Sequence, residues 1–250
     1  MCHHLDSRPP AAPVASSPVA AHGRLDLTAT DGAPLAAYLA TPTAPNGSSV
    51  LVLPDVRGLH PFYEHLTTEL AGLGFTALAV DYYGRTAGAP PRGPEFDGMA
   101  HLDLLRSAHV DADVDSAAAE LRDRTPGPLY TLGFCLGGVH SWRQATRDLD
   151  LAGAIGFYGA LRFFDAPATD VRAPLLMLLA GQDEATAPAE FDAFAADLDA
   201  AGRPYARYVY PGAPHSFFDR SAAEWSDACT DAWRQILAFT GQPSTPGPRQ

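Results

Sequence analysis

The sequence predicts an α/β protein: one mostly parallel central sheet with helices on both faces, closed into a single domain. Three observations carry this. Segments such as "SSVLVLPD", "FTALAVD", "PLYTLGF" and "APLLMLLAGQD" are near-continuous apolar runs without alternation, which is how a strand reads when both its faces are covered. Segments of helical spacing separate these runs, the order that builds a parallel sheet. The chain has 250 residues and is 46% hydrophobic, enough for one sizeable core.

The elements follow in order. "GRLDLTAT" and "PLAAYLA" flank "DG" and read as a β-hairpin. "SSVLVLPD" is a buried strand ending at Asp55, and "HPFYEHLTTELAGLG" is a helix with a glycine exit. "FTALAVDYYGR" is the next strand. Residues 86–106 are rich in proline and glycine, the mark of a long functional or mobile loop. "HVDADVDSAAAELRDR" is a helix, "PLYTLGF" a strand and "GGVHSWRQATRDL" a helix. "LAGAIGFYGA", "APLLMLLAGQD" and "YARYVYPGAPH" add strands, with "PAEFDAFAADLDAAG" and "SAAEWSDACTDAWRQILAFTG" as helices between and after them. The expected domain spans 23–241, with unstructured tails over 1–22 and 242–250.

Composition excludes several chemistries. The net charge is −12, which disfavours nucleic acid and anionic membrane surfaces as partners. All 17 basic residues are arginines; without lysine there is no Schiff base, no pyridoxal phosphate anchor and no P-loop lysine. Cys2, Cys135 and Cys229 form no dense pattern, which fits free thiols in a reducing compartment. The first 22 residues lack a basic start and an unbroken apolar stretch, so no signal peptide is expected and the expected location is cytoplasmic. Cys2, His3 and His4 are competent metal ligands, but adjacent ligands on a Pro/Ala-rich start read as a floppy terminus. No metal and no cofactor are expected.

In an open parallel sheet, function collects at the carboxyl ends of the strands. Asp55, Arg85, Cys135, Tyr158, Asp183 and His215 fall there. Gly133-Phe134-Cys135-Leu136-Gly137 has the pattern of a nucleophile elbow with cysteine in place of serine. The bend would put the sulfur at a helix N-terminus, which favours thiolate and oxyanion alike. Asp183 in "AGQDEA" and His215 in "GAPHSFFD" complete the order nucleophile, acid, histidine. Taken singly, each has a plainer reading: a small buried cysteine, a solvated turn or cap, a loop histidine. The three together point to a triad.

"GFCLGG", "GQD", "PHSFFD", "PDVRGLHPFYE" and "VDYYGR" resemble the dienelactone hydrolases (carboxymethylenebutenolidases), a family of the α/β-hydrolase fold, over about 23–241. The resemblance implies a cysteine-dependent hydrolase acting on small esters or lactones, possessing a Cys135–Asp183–His215 triad and forming an acyl-enzyme. It implies an oxyanion hole from the backbone N–H groups of Leu136 and Val56. At Asp55 the family carries a glutamate that deprotonates the thiol once substrate binds; a carboxylate there would keep the resting thiol protonated. The plainer reading is that Asp55 orders the loop after its strand. Arg85 matches a position that binds the substrate carboxylate. The family's second such arginine aligns with Asp219, leaving Arg220 one place on as a substitute. Tyr158 would line the pocket or pack in the core. Arg57 and Arg92 read as solvated surface residues, and His60, His65 and His140 as loop or helix-face residues.

Two other readings stay open. A ligand-binding protein on the same fold would acylate without turning over. A cysteine amidase of the glutaminase type needs a glutamate two residues after the histidine, and here Ser216 and Phe217 follow.

Overall fold

The computed structural model describes residues 7–242. The opening hairpin pairs β1 (Val19–Thr28) with β2 (Pro34–Pro42) antiparallel. Gly32 makes the turn at φ +86°, and the Asp31 carboxylate accepts the Ala33 N–H at 3.2 Å. Then come β3 (Ser49–Leu53), α1 (Pro61–Gly72) and β4 (Thr76–Val80). Proline stands at the start of α1, where its missing N–H costs nothing, and His60 Nδ1 accepts the Phe62 N–H.

The Pro/Gly-rich stretch holds two short helices, α2 (Gly84–Ala87) and α3 (Met99–Leu102). Beyond them run α4 (Ser107–Arg124), β5 (Leu129–Phe134), α5 (Leu136–Gln144) and β6 (Gly153–Phe157). The chain closes with β7 (Leu175–Gln182), α6 (Pro188–Ala200), β8 (Tyr205–Pro214) and α7 (Ser226–Phe239).

The eight strands form one sheet in the order β1-β2-β4-β3-β5-β6-β7-β8. β2 meets β4 antiparallel, and every later pairing is parallel. The strands β3, β4, β5 and β6 are buried throughout, as their unbroken apolar runs require. One face packs against α1 and α7 through Phe62, Leu66, Trp233 and Ile236. The other packs against α4, α5 and α6 through Val110, Leu121, Trp142 and Phe191. The parallel register sets the ends of β3, β5, β7 and β8 along one edge, and Asp55, Cys135, Asp183 and His215 follow those ends. Among the described residues no helix is long and apolar enough to cross a membrane.

Two expectations are corrected here. The segment 1–22 is not an unstructured tail over its described part. β1 already begins at Val19, Ser17 N–H bonds the Gly72 carbonyl at 2.8 Å, and Trp233 Nε1 donates to the Pro10 carbonyl at 2.8 Å. Its alanines and prolines read as low-complexity sequence, yet Ala12 packs on the α1/α7 side of the core. Arg57 and Arg92 are not solvated but buried. Arg92 forks onto Asp81 at 2.7 and 3.1 Å, with its guanidinium 4.4 Å from the Phe96 ring centroid. Cys2, His3 and His4 lie outside the described residues, as does the expected C-terminal tail beyond Gln242.

Candidate active site

β5 runs directly into a bend at Cys135, whose backbone takes φ +54° and ψ −111°. That conformation costs a non-glycine residue on the order of 1–3 kcal/mol and persists only where its surroundings enforce it. Here Cys135 N–H bonds the Phe157 carbonyl at 3.0 Å, and its own carbonyl accepts Val139 N–H at 3.2 Å. The flanking glycines follow from the same crowding. A Cβ on Gly133 would sit 1.9 Å from the Gly137 carbonyl oxygen, and one on Gly137 would sit 1.9 Å from that of Leu53. On Gly138 it would lie 2.5 Å from the Phe157 carbonyl oxygen. Any side chain at these positions would push strand and helix apart and unmake the bend.

His215 follows β8, and its Nδ1 lies 2.9 and 3.0 Å from the two oxygens of Asp183. The Asp183 side chain is buried, and its Oδ1 also accepts the Ala185 N–H at 2.7 Å. His215 makes a further hydrogen bond to the Cys135 side chain. Burial alone would lower the imidazole's pKa; the bonds and negative charge of Asp183 and Cys135 overcome it and push the pKa up to about 10.

That shift has a sign in stability. A base whose folded pKa is raised contributes fully below its unfolded value, near 6.5, and loses the contribution as pH rises through about 10. The urea midpoint of the protein is therefore expected to fall between pH 7 and pH 10 more steeply than that of His215→Gln. Equal slopes would contradict the coupling.

The sulfur opens into a cavity of about 360 Å³. Met99 and Leu102 of α3 and Phe163 of the 3-10 turn Leu161–Phe163 form its apolar walls. Val56 and Leu136 line it next to Cys135, and Arg162, Glu184 and Arg220 supply its charge. Leu136 opens α5, where the first N–H groups have no partner within the helix.

Other expected site residues are placed differently. Arg85 does not reach this cavity. Its guanidinium forks onto Asp31 at 2.8 Å and onto Asp113 at 2.9 and 3.1 Å, so it ties α2 to the hairpin and α4. The expected carboxylate-binding role of Arg85 is corrected accordingly. Tyr158 is buried at φ +35° beside His215, its ring centroid 4.8 Å from that of His215 and 5.6 Å from Phe217. It is a packing residue, not a cavity wall.

Asp55 is bound by Arg57. Arg57 Nε lies 3.0 and 3.1 Å from the two Asp55 oxygens and its Nη2 2.8 Å from Oδ2. The backbone N–H of Arg57 also donates to Asp55 Oδ1 at 2.8 Å, and Gly58 N–H reaches the Asp55 carbonyl at 3.0 Å. The same guanidinium bonds Asp219, the residue standing where the family has its second arginine. The geometry is that of a carboxylate ordering the turn that carries Val56. The carboxylate expected to gate the thiol is thus already paired with Arg57, a guanidinium it shares with Asp219. Arg57 was missed from the sequence: its second partner lies 162 residues away.

The matching family model is the Dienelactone hydrolase family, over residues 35–244. A "putative carboxymethylenebutenolidase" of Salmonella typhi is 28% identical over 230 residues, covering 85% of this chain and 84% of its own. One of Saccharolobus solfataricus is 27% identical over 250 residues, covering 84% and 95%. Among solved structures, a "putative dienelactone hydrolase" from Klebsiella pneumoniae superposes with a TM-score of 0.74 at 25% identity, over 89% of this chain and all of that one. An α/β serine hydrolase from Xanthomonas campestris shares the fold at a TM-score of 0.63 and 20% identity, over 92% of this chain and 100% of its own. The family match runs from β2 through the end of α7, across the sheet, the cysteine elbow and the loops bearing Asp183 and His215, and this chain belongs to the dienelactone hydrolase family.

Proposed function

We propose that this hydrolase cleaves small esters and lactones through an acyl-enzyme on Cys135. The observation that carries the reading is one imidazole, His215, bonded to Asp183 on one side and to Cys135 on the other, at the floor of a largely apolar cavity. The Cys135 thiolate attacks the carbonyl carbon and a C–S bond forms. The carbonyl oxygen gathers negative charge, which the N–H groups of Leu136 and Val56 stabilise; losing one such donor typically costs about 2.7–4 kcal/mol. The C–O bond then breaks, and His215 gives its proton to the departing alkoxide. A water attacks the thioester, His215 takes its proton, and the C–S bond breaks to release the acid. Asp183 holds the imidazole in orientation and stabilises its cation.

Asp55 enters as a positioning residue for Val56 through the turn it braces with Arg57. Arg220 lines the cavity and is a substrate-contact residue.

The test is pre-steady-state hydrolysis of para-nitrophenyl acetate. A burst of one equivalent followed by steady turnover is expected, and Asp183→Asn should lower kcat by roughly 10³–10⁴. Stoichiometric acylation without recycling would establish the ligand-binding reading instead.

A further inference from the structure

The two tyrosines of "VDYYGR", Tyr82 and Tyr83, stand just past β4 with both side chains buried, and neither lines the reactive cavity. Each hydroxyl donates instead to a backbone carbonyl of the turn after β3, Tyr82 to Pro54 at 3.0 Å and Tyr83 to Val56 at 2.9 Å. Asp81, the residue before them, accepts the N–H groups of Leu59 and Tyr83 at 3.1 and 2.7 Å, so the turn and the tyrosines share an anchor. Burial, with Asp55 and Asp81 adding to it, raises the pKa of both phenols, and each keeps the proton it donates.

A trans peptide unit is planar and points its C=O and N–H in opposite directions, so fixing one group aims the other. Three such units carry the turn, and none is cis. In the unit Pro54–Asp55, Tyr82 holds the carbonyl and the Tyr63 hydroxyl accepts the Asp55 N–H at 3.0 Å. In Asp55–Val56, the carbonyl takes the Gly58 N–H at 3.0 Å. In Val56–Arg57, Tyr83 holds the carbonyl and the Asp55 carboxylate accepts the Arg57 N–H at 2.8 Å. Five of the six backbone groups are therefore engaged. The sixth, the Val56 N–H, makes no hydrogen bond among the described residues, and Val56 lines the reactive cavity. Crowding leaves the two carbonyls little play. A Cβ on Gly137 would sit 2.3 Å from the Pro54 oxygen, and one on Gly98 would sit 1.8 Å from the Val56 oxygen.

We infer that Tyr82 and Tyr83 are positioning residues that aim the Val56 N–H at the oxygen of the reacting carbonyl, their hydroxyls fixing the peptide units on either side of it. This rests on the proposed attack by Cys135. A donor preset in this way needs no reorganisation as charge gathers on that oxygen. The hydroxyls therefore act on the transition state and leave binding of the ground-state ester alone.

The experiment measures Tyr82→Phe and Tyr83→Phe, which keep the rings and remove only the hydroxyls, on para-nitrophenyl acetate. In each, kcat is expected to fall about tenfold, less than for outright loss of an oxyanion donor, with KM within about twofold of the parent. A second readout reports on the oxyanion itself. Trifluoroacetone adds to the thiol, its carbonyl carbon bonding sulfur while its oxygen takes up negative charge, and its Ki should rise by the factor by which kcat/KM falls. Tyr210→Phe, which loses a hydroxyl bonded to Asp231 at 3.1 Å, is the control for a lost buried hydrogen bond and should move neither quantity. Should Tyr82→Phe fail to fold, Tyr83→Phe carries the test, its fold checked by circular dichroism. A folded variant with parental kcat overturns the inference, and so does a fall in kcat with no change in Ki. The failure of the underlying mechanism looks different: turnover that survives Cys135→Ala defeats the nucleophile, whereas an intact acyl-enzyme burst with parental rates in the tyrosine variants defeats the positioning role alone.

Discussion

Cys135→Ala is expected to lower para-nitrophenyl acetate turnover by at least about 10⁴-fold, the scale on which removal of a covalent nucleophile operates. The same variant should fail to gain the mass of an acetyl group when intact protein is examined after brief exposure to the ester. The two measurements have to agree, because Cys229 is also a free thiol. Cys229 is buried in α7 against the core, and burial pushes its pKa up to about 12; it should be neither acylated nor required. The alanine variant keeps the strained bend, since the glycines at 133, 137 and 138 and the Cys135 N–H bond to Phe157 do not depend on sulfur. Its thermal midpoint should stay within a few degrees of the parent. Loss of turnover together with loss of the fold would say nothing about chemistry. Loss of turnover on an intact fold assigns the sulfur. Retained turnover with retained acylation would falsify the mechanism outright.

What the sequence disclosed, and what it hid, follows one physical division. Cys135, Asp183 and His215 are legible because each sits at the end of a strand, and strand order alone sends those ends to one edge of a parallel sheet. The elbow is legible for a second reason: its glycines answer clashes within a few residues, between β5, α5 and the end of β3. Arg57 was hidden because a guanidinium's partners are set by tertiary packing, and Asp219 arrives from the far end of the chain. Arg85 misled for the mirror-image reason. Its position in "VDYYGR" matches the family, but the direction of the side chain depends on Asp31 in the hairpin and Asp113 in α4. The segment before Val19 looked like a tail because its composition is poor in large apolar residues. It is held by single bonds, such as that of Trp233 to Pro10, which no periodicity announces.

Arg57→Met is expected to destabilise the fold by about 3–5 kcal/mol at neutral pH, the usual consequence of stripping one partner from a buried charge network. The Asp55 and Asp219 side chains are only 4% and 3% exposed, and this one guanidinium bonds both. Burial already raises the Asp219 pKa, with Arg57 opposing the rise. Removing Arg57 releases that opposition, so the Asp219 carboxyl should move further above the unfolded value near 3.9. A carboxyl whose folded pKa is raised binds protons more tightly in the native state, so its folding penalty is absent below the unfolded pKa and complete above the folded one. The deficit of Arg57→Met against the parent should therefore be large at pH 7.5 and shrink at pH 4.5, as read from urea unfolding. Adding Asp219→Asn should recover part of it at pH 7.5 by removing one stranded charge. A deficit equal at both pH values would mean that Arg57 acts through packing over Phe62 and Tyr63, each ring centroid 5.6 Å from its guanidinium carbon, and not through charge. The catalytic consequence is separate from the stability one. The Asp55 N–H is fixed by the Tyr63 hydroxyl at 3.0 Å, and its carboxylate is fixed by Arg57, so the turn holding Val56 is clamped from both sides. Loosening one clamp should disperse the Val56 N–H, the proposed oxyanion donor, and leave the apolar walls of the cavity in place, lowering kcat well before it raises KM.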